Sequence, residues 1–354
     1  MEIKIVTYED KDFVMGIDKY VNEIIAKNEY FGNLYSQKKF DTIYIGGGTP
    51  SIIGTENLLK IINSAKNNFN IIDPEITIEM NPCSAQNIDF EKLRKCGVNR
   101  ISLGVQSVHK NELKLLGRLH KNEDVIKSLK KIKSAGISNI SLDLMIGISQ
   151  QTEKSLLQSI DFCVESGAKH ISVYILKIEE NTPYKKLAPT LNLPNDDKQA
   201  EFYEIMQSYL EKKGYFQYEI SNFSKSNYQS RHNLKYWNCD EYLGIGASAH
   251  SFMNGRRFFY ERNFNSFYNN IIKDDGVGGT PEEYIMLKLR LSQGILFEEY
   301  QNLFNQKISN NIIKKAEKYS KYGLMNLNSM GISLTPKGFL VSNSIISDLI
   351  YNNC

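Results

Sequence analysis

The sequence predicts an α/β protein: a parallel sheet, open or rolled into a barrel, with helices outside and a small α+β module at the C-terminus. Three observations carry that prediction. Short Ile- and Val-rich segments recur about 25–40 residues apart, the length of a strand–helix repeat. Amphipathic helical patterns fill the gaps between them. The alternation stops after Lys177, where the composition changes.

Five strands are expected, at Asp41–Gly46, Glu75–Asn81, Arg100–Gln106, Asn139–Gly147 and His170–Lys177. Helices are expected at Asn57–Asn67, Asn122–Ser134 and Thr152–Ser166, and Gly97, Gly136 and Gly167 stand where helix C-caps belong. Met1–Lys11 does not read as a strand, although a helix at about Phe13–Lys27 would come after one, so the first strand is expected to be missing or truncated. A long helix at Asn195–Lys213 opens on Asp196 and Asp197, whose charges suit its dipole. Tyr215–Tyr268 holds 15 of the 39 aromatic residues, which sets it apart as an extension. Gly276, Gly278, Gly279 and Pro281 read as a linker. Beyond it, Glu282–Ser292 and Asn310–Tyr322 read as helices, Gly331–Leu334 with Thr335–Gly338 as a hairpin or wing, and about Phe339–Tyr351 as a final helix, a winged-helix-like module. The implied division is 1–194, 195–279 and 280–354.

Lys and Arg number 43 against 40 Asp and Glu, a net charge of +3, so there is no electrostatic case for nucleic acid as partner. The five cysteines, Cys83, Cys96, Cys163, Cys239 and Cys354, come no closer than 13 positions, which excludes C-x-x-C motifs and argues against a secreted disulfide framework. No apolar run approaches the roughly 18 residues of a membrane span, and no signal-peptide core stands at the N-terminus. A soluble, cytoplasmic protein is expected.

Gly46-Gly47-Gly48-Thr49-Pro50-Ser51 closes the first expected strand. Without Cβ atoms, a ligand can approach the backbone, and Thr49 or Ser51 can cap the next helix. A tight turn needing positive φ explains the glycines equally well. Glu79, Gln106 and Asp143 are polar residues within, or at the C-terminal ends of, three apolar strands. In a parallel barrel those ends converge on one rim, together with Gly47–Thr49. Buried carboxylates need partners, Arg118 or a ligand's ammonium or ribose hydroxyls among them. Arg231-His232-Asn233-Leu234-Lys235-Tyr236-Trp237 places a histidine among aromatics; it can ligate haem iron, but such a residue more often packs. His120 and His170 read as structural, and Cys83 as a buried, inert thiol.

Assembled, the motifs DTIYIGGGTPS, TIEMNP, NRISLGVQS, LLGRLH, NISLDLMIGISQQT, IEENTPY, YEISNFS, RHNLKYW, EYLGIGASAH and LTPKGFLVSN resemble the radical S-adenosylmethionine (SAM) family that contains oxygen-independent coproporphyrinogen III oxidase. The HNLKYW stretch resembles its haem-chaperone branch. The resemblance covers about Lys11 to Leu349 and implies a partial (β/α)₆ TIM-like barrel, a smaller C-terminal domain, and haem delivery to respiratory acceptor proteins, with transient membrane contact. By that resemblance Gly47, Gly48 and Thr49 meet the methionine end of SAM, while Glu79, Gln106, Arg118 and Asp143 contact the rest of it. His232 falls at the histidine associated with haem.

Family members carry a C-x-x-x-C-x-x-C loop after the first strand, whose thiolates hold a [4Fe–4S] cluster. This chain has no such cysteines. A truncated start or a cluster-free relative are the two explanations; truncation is favoured because an open sheet edge beside Asp41–Gly46 would expose unpaired backbone groups. Coproporphyrinogen III dehydrogenase activity by radical decarboxylation is not expected without the cluster, and a cluster-free SAM- or porphyrin-binding protein is the third reading.

Overall fold

The computed structural model describes residues 2–6, 16–178 and 183–351. Strands β1 (Glu2–Val6), β2 (Lys39–Gly46), β3 (Asn70–Met80), β4 (Arg100–Gln106), β5 (Asn139–Ile146) and β6 (His170–Ile175) lie side by side in parallel. Helices α1 (Ile17–Leu34), α2 (Gly54–Asn68), α3 (Asn122–Ser134) and α4 (Glu153–Glu165) alternate with them. This is the partial barrel that the repeat length implies, with all five expected strands present.

The first strand is a correction. Glu2–Val6 pairs in parallel with β2, Glu2 opposite Thr42 through Val6 opposite Gly46, so the edge beside Asp41–Gly46 is covered and the open-edge argument does not apply. Five residues alternating Ile with Glu and Lys are too short a signal to read as a strand without their neighbours. The expected motif IEENTPY lies mostly at 179–182, outside the described residues, as do Met1, residues 7–15 and Cys354.

Residues 195–279 build out both ends of the sheet. After helix α5 (Asp196–Lys212), β7 (Phe216–Glu219) and β8 (Asn222–Ser224) join antiparallel beyond β6. Helix α6 (Arg231–Trp237) comes next, and β9 (Tyr242–Ile245) then pairs in parallel with β1, giving seven parallel strands, β9-β1-β2-β3-β4-β5-β6. Strands β10 (His250–Met253), β11 (Arg256–Tyr260) and β12 (Ile272–Val277) continue antiparallel to the far edge. The expected linker is therefore the end of β12 and a turn, in which the Gly279 N–H donates to Glu283 Oε2 at 2.6 Å.

The C-terminal module holds helices α7 (Pro281–Lys288), α8 (Asn310–Lys321) and α9 (Ser342–Tyr351). Its sheet joins β13 (Ile295–Leu296), β14 (Met325–Leu327) and β15 (Gly331–Leu334) in the order β13-β15-β14. The hairpin pairs β15 with Met325–Leu327 before it, not with Thr335–Gly338 after it. Thr335 instead caps a short helix, its Oγ1 accepting from Gly338 N at 3.1 Å, and Pro336 suits the helical first turn but offers no N–H to a ladder.

Strand alternation explains both the core and the site. Ile43, Ile45, Ile76, Ile78, Ile101, Leu103, Ile140 and Leu142 are essentially inaccessible and share one core with Tyr20 and Ile24 of α1 and Leu58 and Ile61 of α2. The alternate positions carry the polar residues, and register aligns them strand by strand: Thr42 beside Glu75, Glu79 beside Ser102, Ser102 beside Ser141, Asp143 beside Ser172. The face away from α1 and α2 is consequently polar.

Candidate functional site

Gly48, Thr49, Glu79, Gln106, Arg118 and Asp143 line one cavity of about 150 Å³ at the C-terminal ends of the strands, with Ser102 and Gly104 at its floor. Gly47 touches it through its N–H, which donates to Glu79 Oε2 at 2.9 Å. All seven residues expected to form one rim are thus brought together. Gly47 and Gly48 take φ of 75° and 52°, the left-handed region that side chains disfavour, and so turn the chain back over the β3 end. Pro50–Ile53 continues from there as a single 3₁₀ turn. Thr49 sits at its N-cap without using its side chain there, and the Ser51 hydroxyl meets that of Ser84 instead.

Both carboxylates are held by neutral donors rather than by Arg118. Tyr44 donates its hydroxyl to Glu79 Oε1, opposite the Gly47 N–H on Oε2. Ser102 Oγ donates to Asp143 at 3.1 and 3.3 Å, and Ser172 also hydrogen-bonds it. Burial pushes the Asp143 carboxyl up to about 6, against those hydroxyls, which lower it. Arg118 lines the cavity from an exposed loop, and no ion pair engages it among the described residues. A carboxylate has about four acceptor positions, so each retains capacity toward the cavity. Two carboxylates, an amide, a hydroxyl and a guanidinium around one space suit a ligand that carries an ammonium or hydroxyl groups and also a carboxylate.

Tyr44, Ser102 and Ser172 are the site residues that sequence reasoning missed. The signal existed: Thr42/Tyr44/Gly46, Thr77/Glu79, Ser102/Gly104/Gln106, Ser141/Asp143 and His170/Ser172 are polar or small at every second position of otherwise Ile-rich strands.

His232 is not in this cavity. Helix α6 caps on Ser230 and is tied to the opposite, N-terminal ends of β2 and β3: Lys235 Nζ pairs with Asp41 at 2.8 Å, Arg231 with Asp41 at 3.2 Å, and the His232 N–H donates to Glu75 Oε1 at 3.3 Å. Burial alone would raise the Asp41 carboxyl, but the Lys235 hydrogen bond and charge help to hold it below the ordinary carboxylate range. The His232 ring is 2% exposed and stacks on Tyr44 with centroids 4.0 Å apart, while Tyr236 meets its edge, hydroxyl to Nε2 at 3.3 Å. Tyr44 therefore separates His232 from the cavity. One face and Nε2 of the ring are thus engaged by tyrosines. Cys83 differs from expectation too: it is exposed, at the start of a short turn of helix after Pro82.

A [4Fe–4S] cluster needs three or four thiolates. The described cysteines lie apart in exposed, half-buried and buried settings, and among the described residues no three His, Cys, Asp or Glu side chains group as a metal site. The residues present do not fit that cluster.

Known proteins share both the fold and much of the sequence. Residues 22–163 match the radical SAM superfamily and residues 280–341 the HemN C-terminal domain. The chain is 33% identical to the heme chaperone HemW of Buchnera aphidicola subsp. Schizaphis graminum over 96% of this chain and 92% of that protein. It is 32% identical to the heme chaperone HemW of Bacillus subtilis over 93% and 90%. The solved structure of coproporphyrinogen III oxidase (HemN) from Escherichia coli, a radical SAM enzyme, superposes with a TM-score of 0.82 at 18% identity, covering 99% of this chain and 90% of that one, a likeness of fold. The chain belongs to the radical SAM superfamily and, within it, to the family of heme chaperone HemW proteins.

Proposed function

We propose that this protein is a haem chaperone, which binds haem and hands it to acceptor proteins, respiratory ones among them. The observation that carries this reading is similarity along nearly the whole chain to several proteins of that name, at about 30% identity. The cavity on the barrel rim is the candidate SAM site: Glu79, Asp143 and Gln106 offer acceptors for its ammonium and ribose hydroxyls, Arg118 a cation for its carboxylate, and Gly47–Thr49 an approachable backbone. SAM there would act as a bound ligand, since the chain's residues do not fit the cluster that would supply the electron for a radical step. Among the described residues no helix is long and apolar enough to cross a membrane, so contact with a membrane-bound acceptor would be by docking. We place the protein's work in the cytoplasm.

Addition of hemin to the purified protein tests the reading. A saturable shift of the Soret band, and then its transfer to an apo-acceptor, is expected. Folded protein that leaves the hemin spectrum unchanged overturns it. Isothermal titration with SAM tests the rim separately, with Asp143→Asn and Arg118→Ala expected to weaken binding about tenfold each, the loss of one charged hydrogen bond.

A further inference from the structure

Each carboxylate of the rim cavity leads, through the barrel interior, to helix α6 at the other end of the barrel. The route from Glu79 is the shorter. Tyr44 donates its hydroxyl to Glu79 and lays its ring on His232. The route from Asp143 is a run of hydrogen bonds. Ser141 Oγ, two positions back on β5, reaches Asp143 Oδ1 at 3.5 Å and lies 2.8 Å from His170 Nδ1 on β6. His170 Nε2 lies 2.8 Å from the Tyr218 hydroxyl on β7, and that hydroxyl accepts from the Ser230 N–H at 3.3 Å. Ser230 is the N-cap of α6, its side chain accepting from the Asn233 N–H.

The protons on this path share one direction, and the carboxylate fixes it. Ionised Asp143 only accepts, so Ser141 donates to it and accepts from His170 Nδ1–H. Burial and the nearby Arg100 charge push the His170 pKa well below its ordinary value, so the ring is neutral and holds one proton. With that proton on Nδ1, Nε2 is bare and takes the Tyr218 hydroxyl proton, while the Tyr218 oxygen accepts from Ser230. Turning any member over leaves a neighbour without its partner. Ser141, His170 and Ser230 are fully buried, so bulk water does not repair such a loss. A network that served stability alone would have no reason to end on a carboxylate that faces a ligand cavity.

We infer that His170 and Tyr218 are positioning residues of the rim site: they orient the Ser141 donor on Asp143 and tie it to the start of α6, so that a ligand drawing on Asp143 is registered at that helix. Tyr44 makes the parallel connection from Glu79. The inference rests on the reading of the rim cavity as a SAM site. A ligand donor on Asp143 draws charge from the carboxylate and weakens its bond to Ser141. That change passes along the relay because each member's partner is the next one along, and by linkage a disturbance at α6 returns to the cavity.

Trp237, the only tryptophan of the chain, stands on α6, and its indole hydrogen-bonds Glu219, the neighbour of Tyr218. Its emission therefore reads the far end of the relay. In the full chain, saturating SAM should change that emission with the same midpoint as the calorimetric titration. Tyr218→Phe keeps the ring and removes the hydroxyl, and should cut the emission response by about half or more. Its SAM affinity should stay within about threefold of the parent, less than the loss of a direct hydrogen bond. His170→Asn, whose amide stands where Nδ1 stood, should keep the hold on Ser141 and the affinity but lose the response in the same way; far-UV circular dichroism checks the folding of both. SAM that binds without altering Trp237, or that alters it as much in both variants as in the parent, overturns the relay and leaves the SAM site intact. No heat with SAM in the parent overturns the SAM site, and the relay is then decided without a ligand. Ser141→Ala should change Trp237 emission in the parent but not in Tyr218→Phe, where the relay is already cut. No change in the parent, or equal changes in the two backgrounds, overturns the relay whatever SAM does.

Discussion

Asp143→Asn provides the sharpest test of the rim site's electrostatics. Asp143 has a folded pKa of about 6 against an ordinary value of 3.8, with burial as the main cause. That difference of 2.2, at 1.36 kcal/mol per unit, amounts to about 3 kcal/mol of destabilisation when the carboxyl is ionised. The sign is set by proton uptake: the native state binds the extra proton between the two pKa values, so stability falls as pH rises through that window. The penalty is small below about pH 4 and complete above about pH 6. Because Asp143 is partly open to the cavity, about 2 kcal/mol is the realistic figure for the interval from pH 4.5 to 7.5. Asparagine keeps the shape, removes the charge, and gives up about 1 kcal/mol of hydrogen bonding to Ser102 and Ser172. Urea unfolding should find the variant about 1 kcal/mol more stable than the parent at pH 7.5 and slightly less stable at pH 4.5. Equal effects at the two pH values would refute the reasoning. A stabilised variant that binds SAM more weakly is the trade expected of a carboxylate kept buried for a ligand.

Three further outcomes rest on the same contacts. Tyr44→Phe removes the hydroxyl on Glu79 but keeps the ring on His232, and should lower stability by about 1.5–3 kcal/mol in urea, the value of a hydrogen bond to a charged group; an unchanged midpoint means that Glu79 is held otherwise. A Cβ added at Gly46 would lie 2.8 Å from the Glu79 carboxylate and 2.5 Å from the Tyr44 ring, so Gly46→Ala should abolish SAM binding in calorimetry while circular dichroism stays near that of the parent. His232→Ala removes a buried ring stacked on Tyr44 and should cost about 3 kcal/mol by analogy with other buried rings; an unchanged urea midpoint would mean that the stack contributes nothing.

Local patterns carried most of the barrel. Arg100–Gln106 and Asn122–Ser134 end where the sequence places them, because Ile/Val runs and an amphipathic helix each bury a face whatever surrounds them. The rim was legible for a topological reason: parallel strands put their C-terminal ends on one side, so Glu79, Gln106 and Asp143 could be placed together without coordinates. Glu2–Val6 was not legible, since its pairing with β2 and β9 is formed with residues some 40 and 240 positions away. Thr335–Gly338 was misjudged because a Ser/Thr–Pro start serves a helix cap as well as a strand end, and only the partner strand Met325–Leu327 decides.

Sequence by itself determined the alternation of apolar and polar positions, hence which residues face the helices and which face the polar interior, for side-chain period is a local property of the strand. Only the tertiary structure decided which end of the barrel His232 occupies and that Tyr44 stands between it and the cavity. These are relations between segments far apart in the chain, set by how the helices and loops close over the sheet, and no local pattern encodes them.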